Sequence, residues 1–173
     1  MRQPLIVHPT TPRGPVSEIV VEVVRSGRLL MLDYVVAGDI DALALPAEAE
    51  RVRADRLWEQ SCFEVFIGAQ DDYLEINLAP STAWAAYRFH GYRHAVRNAG
   101  IEPPDIATIR MEDRFELRAT ARINWWAGPI GLAAVIQEKN GTKSYWALAH
   151  PPGVPDFHHP DCFALELPAP DAR

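Results

Sequence analysis

The sequence predicts an all-β protein, an antiparallel β-sandwich with at most short helices, read as one domain over residues 1–173. Three observations carry that expectation: apolar and polar residues alternate with period two in many short segments, Gly and Pro separate those segments, and only one stretch has a helical look. FELRATARI (115–123) is the clearest case. Phe115, Leu117, Ala119, Ala121 and Ile123 share one side, and Glu116, Arg118, Thr120 and Arg122 the other, as in a half-buried antiparallel strand.

Taken in order, the expected strands are 17–24, 28–36, 62–67, 73–78, 85–90, 106–111, 115–123, 132–139, 144–149 and 162–167. LALPAEAERVRADR (43–56) reads as a helix or as an irregular loop over a sheet edge, and 91–100 adds one turn of helix. The proline-rich 150–160 stretch lacks the N–H groups for a regular ladder and reads as a loop. Trp125 and Trp126 follow a strand and read as its end anchor, while Trp146 reads as core.

Composition is that of an ordinary globular chain, with 48% apolar and 23% charged residues. The formal charge of −6, without a Lys/Arg run, opposes a nucleic-acid or anionic-membrane partner. No apolar run approaches the ~18 residues of a membrane span, and no apolar core of a signal peptide opens the chain, so a cytoplasmic location is expected. Cys62 and Cys162 are then expected as free thiols.

The central segments carry the chemistry. A turn at 69–72 pairs Ile67 with Leu74 and Val65 with Ile76, leaving Cys62, Glu64, Phe66, Tyr73, Glu75 and Asn77 on the other face. A four-residue loop at 80–83 places Glu75 opposite Arg88, with Trp84 on the Arg88 side and Tyr87 and Phe89 in the core. One surface thus gathers carboxylates, an amide, a guanidinium and aromatic rings, a set that suits a sugar or another polar ring. The competing reading is a solvated sheet face whose charges pair across strands.

Other chemistries find less support. There is no G-x-S-x-G elbow, no phosphate-binding glycine loop, and no C-x-x-C or H-E-x-x-H metal spacing. In HPPGVPDFHHPD (150–161), His159 with Asp161, or Asp156 with His158, could share an ion, but a stiff structural loop is the reading preferred. Glu64 and Glu75 are diagonal neighbours, roughly 7–8 Å apart by sheet geometry, which leaves an inverting glycosidase open as an alternative. Arg88 opposite Glu75 would depress the Glu75 pKa and favour a carboxylate over an acid.

LWEQSCFEVFI (57–67), YLEINLAPSTAWAAYRFHGYR (73–93) and YWALAHPPGVPDFHHPDCFALEL (145–167), with His-Pro at 8–9 and Pro12, resemble a bacterial DOMON-like protein family of unsettled activity. That family is related to type 9 carbohydrate-binding modules. The resemblance implies a β-sandwich whose relatives bind sugars or haem. Trp58 and Glu64 match the ligand-stacking Trp and the strand Glu of type 9 modules. Where those modules place a second Trp late in the chain, this one has Phe157, His158 and His159. A haem-binding relative would need a Met and a His, for which Met31 and one of His150, His158 or His159 are the candidates.

The sequence therefore points to a non-catalytic module for a carbohydrate or similar small polar ligand. The expected site is Trp58, Glu64, Glu75, Asn77, Trp84, Arg88, Phe157 and His158, with 150–161 as its rim and no metal or cofactor. Trp58 and Trp84 are expected on the ligand, and Trp125 and Trp146 in the fold. The alternatives are a haem-binding module, a glycosidase using Glu64 and Glu75, and a structural or protein-interaction domain.

Overall fold

The structure, a computed structural model, describes residues 1–69, 71–94, 97–123 and 128–168. Among them are thirteen strands: β1 Arg2–Pro4, β2 Ile6–Val7, β3 Val16–Ser26, β4 Leu29–Gly38, β5 Cys62–Ala69, β6 Asp72–Leu78, β7 Trp84–Phe89, β8 Arg97–Asn98, β9 Asp105–Arg110, β10 Arg114–Arg122, β11 Gly128–Gln137, β12 Lys143–Ala147 and β13 Leu165–Leu167. The helices are 3-10 turns at Ile40–Ala42, Leu57–Glu59 and Pro160–Cys162. Among the described residues no helix is long and apolar enough to cross a membrane.

The strands form two antiparallel sheets packed as a sandwich, as alternation predicts. One runs β1-β3-β4-β10-β9; the other runs β2-β12-β11-β5-β6-β7-β8, with β13 also on β11. Alternate residues of each sheet turn inward to a shared core. Val21, Leu32, Tyr34 and Leu117 come from the first sheet, and Phe63, Val65, Ile76, Leu132 and Trp146 from the second. The core has one polar tie across it: buried Tyr34 on β4 donates from its hydroxyl to the Glu64 carbonyl on β5 at 2.7 Å. That bond satisfies a phenol that burial would otherwise penalise. It also anchors the strand that carries Glu64.

The β5–β6 register agrees with the sequence reading: Ile67 pairs with Leu74, Val65 with Ile76 and Glu64 with Asn77. The β6–β7 register corrects it by one residue. Leu78 pairs with Trp84, Glu75 with Tyr87 and Leu74 with Arg88. The cause is the turn. Thr82 N–H bonds Ala79 O, Ala79 N–H bonds Ala83 O, and Thr82 takes a left-handed φ of 69°, so the hairpin closes over three residues where the sequence suggested four. A one-residue slip reverses both faces of β7. Trp84 and Ala86 enter the inter-sheet core, and Ala85, Tyr87 and Phe89 point to the outer face.

Residues 43–56 take the second of the two forms the sequence left open, and two other elements differ from expectation. Residues 43–56 form an irregular loop, tied to β7 by a parallel bridge between Arg53 and Trp84 and to the 79–83 turn by Thr82 Oγ1 donating to Ala49 O at 3.1 Å. The described part of 91–100 holds a turn and the short β8, with no helical turn. Residues 162–164 precede β13 and lie outside it. Trp125 and Trp126 lie outside the described residues. Trp146 is buried as expected and donates its indole N–H to Ser144 Oγ at 2.9 Å.

Because Trp84 is 6% exposed and faces the core, Trp84→Ala is expected to destabilise the fold by about 3–5 kcal/mol. Chemical denaturation measures this; an unchanged midpoint with unchanged slope would contradict the burial.

Candidate functional site

The outer face of the second sheet is not solvated. On it lie Cys62, Glu64 and Phe66 of β5, Tyr73, Glu75 and Asn77 of β6, Tyr87 and Phe89 of β7, Ala133 and Val135 of β11, and Ala147 of β12. A second apolar cluster covers this face, and Phe157 of the 150–161 loop belongs to it. Gly131, opposite Phe66, makes room for the end of that loop. A Cβ at Gly131 would stand 3.1 Å from the Cys162 carbonyl oxygen, tighter than side chains ordinarily pack.

Polar contacts fasten the loop. Asp156 accepts from Arg93 at 2.7 Å, from Tyr92 Oη, and from the His158 N–H at 3.1 Å. The Cys162 thiol lies 3.1 Å from Ala149 O and 3.2 Å from Asp156 O. His159 caps the 3-10 turn, its Nδ1 accepting from Asp161 N–H. Among the described residues no group of three or more His, Cys, Asp or Glu is placed to hold a metal ion. On the other side, the 43–59 segment delivers Trp58. Asp55 accepts from Tyr87 Oη at 2.7 Å, and the following 3-10 turn sets the indole edge-on to Tyr87, with ring centres 5.9 Å apart.

Between loop and sheet lies a cavity of about 360 Å³. Glu64 and Glu75 lie at its floor. Trp58, Tyr87, Phe89, Tyr145 and Phe157 supply aromatic walls, and Arg93, Pro155 and His158 complete the lining with Val135. Of the residues expected from sequence, Trp58, Glu64, Glu75, Phe157 and His158 meet here. Asn77 sits behind Glu75, fully buried, and donates from Nδ2 to Glu75 Oε1 at 2.7 Å. Trp84 and Arg88 are brought elsewhere by the register correction. Trp84 is in the core, and Arg88 lies on the opposite face in a two-pronged ion pair with Asp72 at 2.6 and 2.8 Å. Tyr87, Phe89, Arg93 and Tyr145 were not read as site residues. The available signal was that β7 and β11 carry apolar residues on both faces, which marks a sheet covered on both sides.

The electrostatics of the floor follow from burial. Glu64 and Glu75 are 3% and 4% exposed and diagonal to each other across β5–β6. Desolvation and then the Glu75 charge push the Glu64 carboxyl well above its ordinary range. Desolvation also raises Glu75, to about 7, against the opposing bond from Asn77. Arg88 does not depress it, because Arg88 is on the other face. Glu64 Oε1 and Asn77 Oδ1 are buried with no hydrogen-bond partner among the described residues.

His158 closes one end. Its Nδ1 is 2.8 Å from Tyr73 Oη, which itself accepts from Arg93 N–H at 3.2 Å. Tyr73 Oη is therefore assigned as the donor and Nδ1 as the acceptor, which puts the imidazole hydrogen on Nε2, 3.7 Å from Glu75 Oε2. Burial and then the Arg93 charge lower the His158 pKa to about 4, so the ring is neutral at pH 7 and makes no ion pair with Glu75. Met31 lies between the core residues Leu30 and Leu32, so it faces outward from the first sheet. It cannot form an axial pair with His158, which is on the far side of the sandwich.

No protein family matches the chain, no curated protein is similar to it, and no solved structure matches it.

The Glu75 shift has a consequence for stability. The folded state holds this proton to about 7 and the unfolded chain only to about 4.5, so the Glu75 contribution is full below 4.5 and is lost as pH rises through 7. The change is on the order of 3 kcal/mol. Glu75→Gln cannot ionise and is expected to flatten that decline relative to the parent. Denaturation of both proteins between pH 4.5 and 8 tests this, and parallel pH dependences would refute it. His158 acts in the opposite sense, its contribution being lost as pH falls through about 4, and it cancels in the comparison.

Proposed function

We propose that this chain is a non-catalytic binding module whose cavity takes a small polar ligand of carbohydrate kind. The observation that carries the reading is the buried Glu64 at the floor of an aromatic-walled cavity, its Oε1 without a partner. An acceptor buried this way costs free energy until a donor reaches it. Ligand hydroxyls are such donors, and Trp58, 41% exposed at the mouth, offers a flat face to ring C–H groups. The sequence resemblance to DOMON-like proteins and type 9 modules supports the same reading, since Trp58 and Glu64 are the two residues that match.

A glycan array followed by calorimetry on the full chain tests the proposal. Trp58→Ala is expected to fold with stability within about 1 kcal/mol of the parent and to lose binding by about tenfold or more. Unchanged affinity for an identified ligand would remove Trp58 from the site. The glycosidase alternative places Glu64 and Glu75 as the acid–base pair. It requires turnover of aryl glycosides that Glu64→Gln abolishes, whereas the binding reading expects none.

A further inference from the structure

We infer that the ligand carries a protonated amine, held by Glu64 and Glu75 at the floor and faced by the aromatic walls. This rests on the binding reading above and narrows its ligand class. With Glu64 and Glu75 ionised, the floor itself offers acceptors, and the cationic and imidazole donors, Arg93 and His158, stand in the walls. Glu64 Oε1 and Asn77 Oδ1 have no partner among the described residues, and Asn77 spends one amide hydrogen on Glu75. Two of the phenols near the cavity are committed: Tyr87 donates to Asp55, and Tyr73 is bonded to His158. A neutral polyol needs donors as well as acceptors, because each hydroxyl oxygen also accepts. An ammonium group has donors only, which matches this floor.

Charge points the same way. Two buried carboxyls on neighbouring strands have no Lys or Arg within ion-pair distance among the described residues. Arg93, the cation of the lining, pairs at the rim with Asp156 at 2.7 Å with its side chain 53% exposed, and its charge favours ionised Glu64 and Glu75 only as a lesser cause, outweighed by their desolvation. His158 is neutral, and Cys62 and Tyr73, the other titratable groups against the floor, are held protonated by burial. A buried carboxylate is stabilised by an opposite charge within a few ångström. The rings of Trp58, Tyr87, Phe89, Tyr145 and Phe157 add negative π-faces, which attract cations most strongly where water is excluded. An ammonium seated there ionises carboxyls that are otherwise protonated, so their protons pass to the buffer on binding.

The test uses matched probes on the full chain by calorimetry: glucosamine against glucose and N-acetylglucosamine, and benzylamine against benzyl alcohol. The amine of at least one pair is expected to bind about tenfold or more tightly than its neutral partner. Its enthalpy should vary with buffer ionisation heat in the sense of proton release. Glu64→Gln and Glu75→Gln should lose that preference. Trp58→Ala, at an exposed position, should weaken the amine if a carboxyl variant fails to fold. If in neither pair the amine binds more tightly than its neutral partner, and no protons are released, the inference is overturned while the binding reading stands. If no amine binds, the inference is overturned, and a glycan hit elsewhere then still supports the binding reading. If neither the probes nor the array bind, both fall.

Discussion

Two carboxyl groups buried side by side cost several kcal/mol each unless protonation, hydrogen bonds or an opposite charge compensates. Glu64 and Glu75 face that cost, and the structure around them reads as its partial answer. Asn77 donates to one oxygen of Glu75, and His158 Nε2 stands 3.7 Å from the other, beyond a direct hydrogen bond. Glu64 has no equivalent for Oε1. Both groups lower the cost by holding protons longer than exposed carboxyls do. A fold selected only for stability has cheaper residues for a covered sheet face, and its neighbours there are indeed Phe66, Ala85 and Val135.

The rest of the molecule keeps that arrangement in place from three sides. From beneath, Tyr34 bonds the backbone at Glu64 across the core, so the strand's position is tied to the opposite sheet. From above, the proline-rich loop is pinned through Asp156 to Arg93 and Tyr92, which places Phe157 and His158 against the sheet. From the side, the irregular 43–59 segment follows β7 and ends at Asp55 and Trp58. Prolines restrict the loop's unfolded freedom, so holding it in one shape costs less entropy. The histidines of the loop have separate roles: His158 joins the cavity wall, His159 caps a turn, and His150 bonds Ile6 O.

The apolar surroundings and the acidic floor together set what can enter. Aromatic walls favour a ligand with a flat or cationic face, and Glu64 requires a donor. Arg93 pairs with Asp156 at the rim, and its charge reaches Glu64 and Glu75 only as a cause smaller than their desolvation. A ligand is thereby oriented, with its donors toward β5 and β6 and its apolar or π-compatible surface along Trp58 and Phe157.

Sequence alone determined the sandwich, the limits of most strands, the β5–β6 register, the burial of Trp146, and five of the cavity residues. Those features rest on period-two alternation and on turn residues, which are local in the chain. It also carried the clue that 150–160 is a loop, because proline removes ladder donors. The β6–β7 register was decided only in the tertiary structure. WAAYRF is apolar on both faces, so its pattern does not say which side is inward, and Thr82 is a β-branched residue that gives no sign of a left-handed turn. The 43–56 loop bonds to that turn and so settles the choice, sending Trp84 to the core and Tyr87 to the cavity. The burial of Glu64 and Glu75 was likewise invisible locally, since a carboxylate on an alternating strand ordinarily marks a solvated face. The return of residues 150–162 and the 43–59 segment over the second sheet removes water from that face, and the apolar residues on both faces of β7 and β11 signal a cover without saying which distant segment supplies it.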